Sequence, residues 1–210
     1  MTKEEKVKKI IERLSKIYPH PKSALIHTNP WELLVATILS AQATDKGVNL
    51  ITPNLFKNFP DVQSFARSTP KEIDPFVKTI NFHFNKSKSI IGAAKMVVEK
   101  FGGKVPDNME DLDSLPGVAR KTANVVLGDA FNKQEGIVVD THVIRLANKL
   151  GLTDYKDPVK IEQDLMKIVP KKDWTRFAHM LVLHGRDICT ARPHTCEGCP
   201  LEDICPDKRQ

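Results

Sequence analysis

Two groups of residues in this sequence have the types and spacing to do chemistry. The first lies in 115–140, LPGVARKTANVVLGDAFNKQEGIVVD. Leu115-Pro116-Gly117 reads as a sharp turn in which Gly117 can take backbone angles closed to other residues, and a helix should start just after it. A helix start presents unpaired N–H groups and the positive end of its dipole, which suits a phosphate. Lys121 sits in that first turn beside Arg120. The neighbouring cation and the positive helix end both disfavour a second ammonium, and a lysine so tuned can be a nucleophile. Asp140 ends the apolar run Ile137-Val138-Val139 at a second helix start, so an amine and a carboxylate could face one cleft. Plainer readings stand beside these: Lys121 as a phosphate contact and Asp140 as a helix cap.

The second group is the four cysteines, all near the C-terminal end, as C-x6-C-x2-C-x5-C at Cys189, Cys196, Cys199 and Cys205. Scattered cysteines would suit a disulfide framework, whereas a tight group of four points to one metal centre. Only Cys196-x2-Cys199 has the short spacing of a zinc knuckle, and four thiolates equally satisfy a four-iron, four-sulfur cluster. Spacing alone leaves both open.

Helices must position these groups. Val7, Ile10, Ile11, Leu14, Ile17 and Tyr18 form one stripe of a helix over 3–18. Asn29-Pro30-Trp31-Glu32 is a capped helix start, and the run 33–39 is apolar on every side, which places it at the centre of a helical lobe. That helix ends in Ser40-Ala41-Gln42-Ala43-Thr44-Asp45, small and polar residues that ordinary capping would explain. An apolar stripe runs from Val48 to Phe59, and Thr69-Pro70-Lys71-Glu72 opens a short helix through Ile80. Asn81-Phe82-His83-Phe84 reads as a loop whose aromatics would ordinarily pack inward. A helix carrying Ile90 and Phe101 stops at Gly102-Gly103, and Asp107 should cap the short helix through Leu112. Helices holding Val143, following Asp157-Pro158, and holding Trp174 complete the count, and no strand pattern competes: the chain reads as all-α. His184-Gly185-Arg186 leads into the cysteine loop, where Ala191, Arg192, Pro193 and His194 make a small basic stretch. The histidines show no metal-ligand spacing and read as structural or solvent-facing.

The 210 residues include 32 basic and 26 acidic ones, a formal net charge of +6 that points to a polyanion more readily than to a neutral small molecule. No apolar run approaches the ~20 residues of a membrane span and no apolar leader opens the chain, so a soluble, intracellular protein is expected.

In LPGVARKTANVV, VDTHVIR, the SAQATD of 40–45 and the cysteine pattern of 189–205, the chain resembles the endonuclease III family of helix-hairpin-helix DNA glycosylases. The resemblance implies two helical lobes. One is a six-helix barrel over 23–134 with the hairpin at about 108–131; the other joins 1–22 to 135–210 and holds a 4Fe-4S cluster on the 189–205 loop. It implies a monomeric base-excision repair enzyme, cytoplasmic, nucleoid-associated and prokaryotic, acting on double-stranded DNA. Such an enzyme removes oxidised pyrimidines and cleaves the backbone by β-elimination through a Lys121 Schiff base, with Asp140 as the catalytic carboxylate. Gln42 would fill the gap left by an extruded nucleotide, Phe82 would wedge between bases opposite it, and Gly117, Ala119, Arg120 and Thr122 of the hairpin, with Arg192, would hold DNA. Ala119 stands where the family usually has a second glycine, and Asn81 and His83 flank Phe82 where it usually has glycine and tyrosine. The rival readings are a single-step mismatch glycosylase, whose members generally lack lysine at position 121, and a non-catalytic hairpin module.

Overall fold

The computed structural model describes residues 1–192 and 194–207, and these divide into two compact units, 1–22 with 134–210 and 23–133. Helix α1 (Lys3–Ile17) opens the chain and belongs to the first unit. Seven helices make the second: α2 (Pro30–Ser40), α3 (Asp45–Asn58), α4 (Val62–Arg67), α5 (Pro70–Val77), α6 (His83–Phe101), α7 (Met109–Asp113) and α8 (Arg120–Phe131). Helices α9 (Thr141–Lys149), α10 (Pro158–Ile168) and α11 (Trp174–Asp187) return to the first unit, with a 3-10 turn at Lys171–Asp173. Among the described residues there is no strand, and no described helix is long and apolar enough to cross a membrane.

In the 23–133 unit, α2 is the axis. Its start is set locally: the Asn29 side chain accepts the Glu32 N–H at 2.9 Å and Pro30 occupies the first position, where its missing N–H costs nothing. The Glu32 carboxylate reaches back to the Thr28 N–H and hydroxyl at 2.7 and 2.8 Å. Trp31 and every residue from Leu33 to Leu39 is buried, as all-round apolarity requires, and α3, α6 and α8 pack around them. Burying each such Leu or Ile side chain contributes about 1.5–3 kcal/mol. Helix α6 stops where Gly102 turns left-handed (φ 60°), and the Gly103 N–H closes on the Val97 carbonyl at 2.9 Å.

Three details differ from the sequence reading. The cap of α7 is Asn108, whose side chain accepts the Asp111 N–H at 3.0 Å; Asp107 instead pairs with Lys133 at 2.7 Å. The supposed loop 81–84 is shorter, because α6 begins at His83, and its aromatics do not pack inward: Phe82 is 61% exposed and Phe84 42%. Helix α4, which no apolar spacing announced, is fixed by a reciprocal cap between Asp61 and Ser64 and by burial of Val62 and Phe65.

In the other unit, Thr2 and Glu5 form a capping box on α1, and Val7, Ile10 and Leu14 are buried as their spacing predicts. Helix α11 packs on α1 and α9. Arg13 on α1 clamps the C-terminal loop: its guanidinium forks onto the Asp203 carboxylate and donates to the Pro200 carbonyl at 2.9 Å. This bond ties the first helix of the chain to its last loop.

Candidate DNA-facing turns and a four-cysteine pocket

The hairpin joins α7 to α8 through a turn pinned at both ends. Leu115 and Val118 are buried, and their N–H groups close short turns on the Leu112 and Leu115 carbonyls at 3.1 and 3.0 Å. Between them Gly117 takes φ 78°, and a Cβ there would lie 2.6 Å from the Ser89 Cβ. Both conformation and space require glycine. Gly117→Ala is therefore expected to destabilise the protein by about 2–3 kcal/mol, read as a shift in the urea midpoint, and to weaken DNA binding with it. Ala119 is the cap residue of α8 in extended geometry and supplies no side-chain oxygen to the first turn, so a ligand rather than a cap can meet that end. Arg120 and Lys121 are exposed there and Thr122 half-buried. Lys121 is exposed, so the protein does not desolvate its amine by burial, and bound DNA would have to displace the water.

A second turn of the same unit carries Gln42. Helix α2 ends at Ser40, and the exposed Gln42 sits at φ 54°, left-handed for a residue that rarely goes there. Thr44 then caps α3 by accepting the Gly47 N–H at 3.1 Å. Two side chains from other elements hold this turn. The buried ammonium of Lys86 donates to the Leu39 carbonyl at 2.8 Å and to the Ala41 carbonyl, where the negative end of α2 favours a cation; burial holds its pKa below the ordinary lysine value. The Asn81 amide donates to the Gln42 carbonyl at 2.9 Å. Phe82, next in the chain, is also left-handed (φ 58°), and the His83 ring meets Asp74 at 2.6 Å behind it. Two exposed side chains on left-handed backbone thus stand on turns joined by one polar bond, from the Asn81 amide to the Gln42 carbonyl. In the sequence Asn81 stands out only as a departure from the family pattern and Lys86 not at all, since neither bond is between neighbours in sequence.

In the 1–22 and 134–210 unit, Asp140 caps α9, its carboxylate accepting the Val143 N–H at 2.9 Å. Ile137 and Val139 anchor the approach by burial, and Asp140 itself is half-buried. The plain reading of Asp140 as a cap therefore holds, and it leaves a catalytic role open.

The four cysteines are free thiols, each half-buried, and all four line one pocket with Leu146, Leu150, Ile188 and Leu201. Backbone bonds set the loop: the Cys189 N–H reaches the His184 carbonyl at 2.8 Å, Cys199 that of Cys196 at 3.0 Å, and Cys205 that of Leu201 at 2.9 Å. Burial pushes the Cys199 and Cys205 thiols up, with the neighbouring thiols adding to it. Two cations from α9 face Cys189: Arg145 Nη1 and Lys149 Nζ each lie 3.8 Å from its Sγ. Arg145 also donates to the backbone carbonyls of Cys189, Thr190 and Gly185, which fixes the start of the loop. His184 is 2% exposed with Nε2 3.8 Å from Cys199 Sγ, and burial followed by the Arg145 charge pushes its pKa down to about 4. It is neither solvent-facing nor charged at neutral pH. Sequence reasoning missed all three; Arg145 and Lys149 are four apart on one helix face, which was the available signal. Among the described residues, no three His, Cys, Asp or Glu side chains converge closely enough for a single metal ion. Arg192 is exposed, its carbonyl accepting from the His194 ring at 2.8 Å. Pro193 of that basic stretch lies outside the described residues.

Residues 35–171 match the HhH-GPD superfamily base excision DNA repair protein family. The endonuclease III of Synechocystis sp. is 47% identical over 205 residues, 98% of this chain and 94% of its own length. A solved non-covalent endonuclease III–DNA complex has a TM-score of 0.90 at 36% identity, covering 98% of this chain and 96% of that one. A trapped covalent endonuclease III–DNA intermediate matches with the same score and identity over 98% of this chain and 97% of that one. With its glycine-turned hairpin, its capped Asp140 and its four-cysteine pocket, the chain belongs to the endonuclease III family within the HhH-GPD superfamily of base excision DNA repair proteins.

Proposed function

We propose that this protein is a base-excision repair enzyme, a DNA glycosylase and AP lyase that acts on double-stranded DNA carrying oxidised pyrimidines or abasic sites. The observation that carries the reading is Lys121, exposed in the first turn of a helix whose start has no side-chain cap and follows a turn only glycine can make. The helix end receives a DNA phosphate, with Gly117, Ala119, Arg120 and Thr122 around it. The positive charge of the chain as a whole draws in the backbone.

The chemistry follows from an amine and a carboxylate. The Lys121 amine, once deprotonated, attacks C1′ of a flipped nucleotide. The bond from C1′ to the damaged base breaks, and the base leaves with the bonding pair and takes up a proton. Asp140 stabilises the positive charge that develops on the sugar and moves the proton that opens the ring. The resulting imine makes the C2′ hydrogen acidic; its removal expels the 3′ phosphate with the electron pair of the C3′–O bond, and water then releases Lys121. Gln42 fills the vacated gap and bonds to the orphaned base, offsetting part of the few kcal/mol that flipping costs, while Phe82 separates the stack beside it. Arg192 adds a further backbone contact.

The four cysteines would hold a 4Fe-4S cluster. Their donor set fits one: all four thiols border a single largely apolar pocket, with Arg145 and Lys149 facing a sulfur that would be an anionic ligand. Four thiols on one pocket, with no three ligand-type side chains among the described residues close enough for a single ion, suit one thiolate per iron better than one tetrahedral ion. When bound, the cluster supplies a rigid four-point clamp on the loop that carries Arg192. The purified protein is expected to be brown, with a broad visible band that Cys199→Ser removes; a colourless protein containing zinc would overturn this assignment.

Borohydride reduction on DNA containing thymine glycol tests the function. A covalent protein–DNA adduct together with base release supports the lyase; base release without an adduct would make it a single-step glycosylase, and binding alone a non-catalytic module.

A further inference from the structure

We infer that Asn81 is a positioning residue for Gln42, and that this bond sets which base the enzyme tolerates opposite the lesion. The inference rests on the reading of Gln42 and Phe82 as the residues that enter the DNA. Gln42 is exposed and left-handed, at φ 54°, and its own carbonyl is the acceptor of the Asn81 amide at 2.9 Å. The turn before it is fixed from below by Lys86, through the Leu39 and Ala41 carbonyls, and by the Ala43 N–H on the Ser40 carbonyl at 3.0 Å. Those bonds hold the peptides on either side of the Gln42 Cα, through the Ala41 carbonyl and the Ala43 N–H, and none of them reaches the Gln42 carbonyl. Only the Asn81 amide, among the described hydrogen bonds, holds that carbonyl.

Asn81 is itself held. It lies between Ile80, which is buried, and Phe82, whose left-handed backbone starts α6; the His83 N–H closes on the Ile80 carbonyl at 3.1 Å and the His83 ring is fixed on Asp74. The donor is therefore fixed to the wedge turn and the acceptor to the gap-filling turn, so the two intruding side chains move as one. A glutamine amide can donate to and accept from an orphaned base, but discrimination between partner bases depends on where its head group sits. A tether at its backbone restricts that place. A glycine at position 81 has no side chain to make this bond, so the coupling belongs to the asparagine that this chain carries there.

The test compares the parent protein with Asn81→Ala, Asn81→Asp, Gln42→Ala and the Asn81→Ala/Gln42→Ala double variant. Single-turnover excision of thymine glycol is measured opposite adenine and opposite guanine. Loss of one neutral hydrogen bond should change the ratio of the two rates by about three- to tenfold in Asn81→Ala. Asn81→Asp should match it, because an ionised carboxylate keeps the shape and cannot donate. Unfolding midpoints of the Asn81 variants should stay near the parent's, since this bond is exposed. In the Gln42→Ala background, the Asn81 substitution should add nothing to the ratio. An unchanged ratio in Asn81→Ala, or the same shift with and without Gln42, overturns the coupling. If Gln42→Ala alone leaves the ratio untouched, the gap-filling role itself fails, and any Asn81 effect that remains acts by another route. Borohydride trapping of the parent protein reports separately on the glycosylase and lyase reading.

Discussion

Lys121→Ala should yield no borohydride adduct, and its rate of nicking at an abasic site should fall about a thousandfold or more. Removing the amine removes the only atom that the proposed route bonds to the sugar, so no slower version of the same path remains. The competing account, that Lys121 merely holds a phosphate, makes a different prediction. One lost phosphate contact weakens binding about equally on all sequences and lowers the slope of log affinity against log salt by about 1. Lys121→Arg separates the two accounts, because it keeps the charge and, always protonated, lacks the nucleophile. Binding and salt slope close to those of the parent, with nicking lost, mark a nucleophile; nicking kept within a few-fold marks a phosphate contact and ends the Schiff-base reading. Folding does not confuse the result. Lys121 is exposed in a first helical turn, where such substitutions usually change stability by less than about 0.5 kcal/mol.

The parts of the fold that the sequence announced are those in which local chemistry and burial agree. Helix α2 has a capping asparagine, a proline at its first position and an apolar surface on every side, and each signal points to a central helix. The glycine stop of α6 and the apolar stripe of α1 are equally local. Where the sequence misled, two local choices were nearly equal and a distant residue decided. Asp107 and Asn108 are both good caps, and Lys133 claims Asp107. Residue type alone places Phe82 and Phe84 inward, while the family resemblance puts Phe82 at the DNA; both are exposed because of where α6 starts, which the pattern of apolar residues does not specify. A six-residue helix such as α4 is too short to show a period.

The site divides in the same way. The cysteines, Lys121, Asp140 and Gly117 stand in short motifs, so their positions could be read directly. Arg145, Lys149 and His184 matter only because α9 and α11 bring them to the sulfurs, and Asn81 and Lys86 only because the first turns of α6 and the turn before it lie at the end of α2. Residues that support a site from a distant part of the chain leave no spacing to find.

Asp140→Asn is the substitution that parts the two roles of this carboxylate. Asparagine and aspartate cap helices about equally well, so the variant should keep an oxygen on the Val143 N–H and hold α9 in place. What it loses is the negative charge, and with it the favourable term at the positive helix end, worth about 0.3–1 kcal/mol at a partly exposed position. Stability should therefore fall by no more than that, whereas Asp140→Ala, which removes the cap as well, should cost about 1 kcal/mol or slightly more. Base excision answers to the charge. An amide can neither carry a proton between sugar and base nor offset a positive charge growing on C1′, and loss of a general acid–base group typically lowers the rate by 10²–10⁴-fold. Single-turnover release of thymine glycol should fall by about that factor in both variants, and the effect should lie in the rate rather than in DNA affinity. Were Asp140 only a cap, the order would reverse: the asparagine variant would excise bases almost as fast as the parent, and the alanine variant would lose activity only as far as α9 frays.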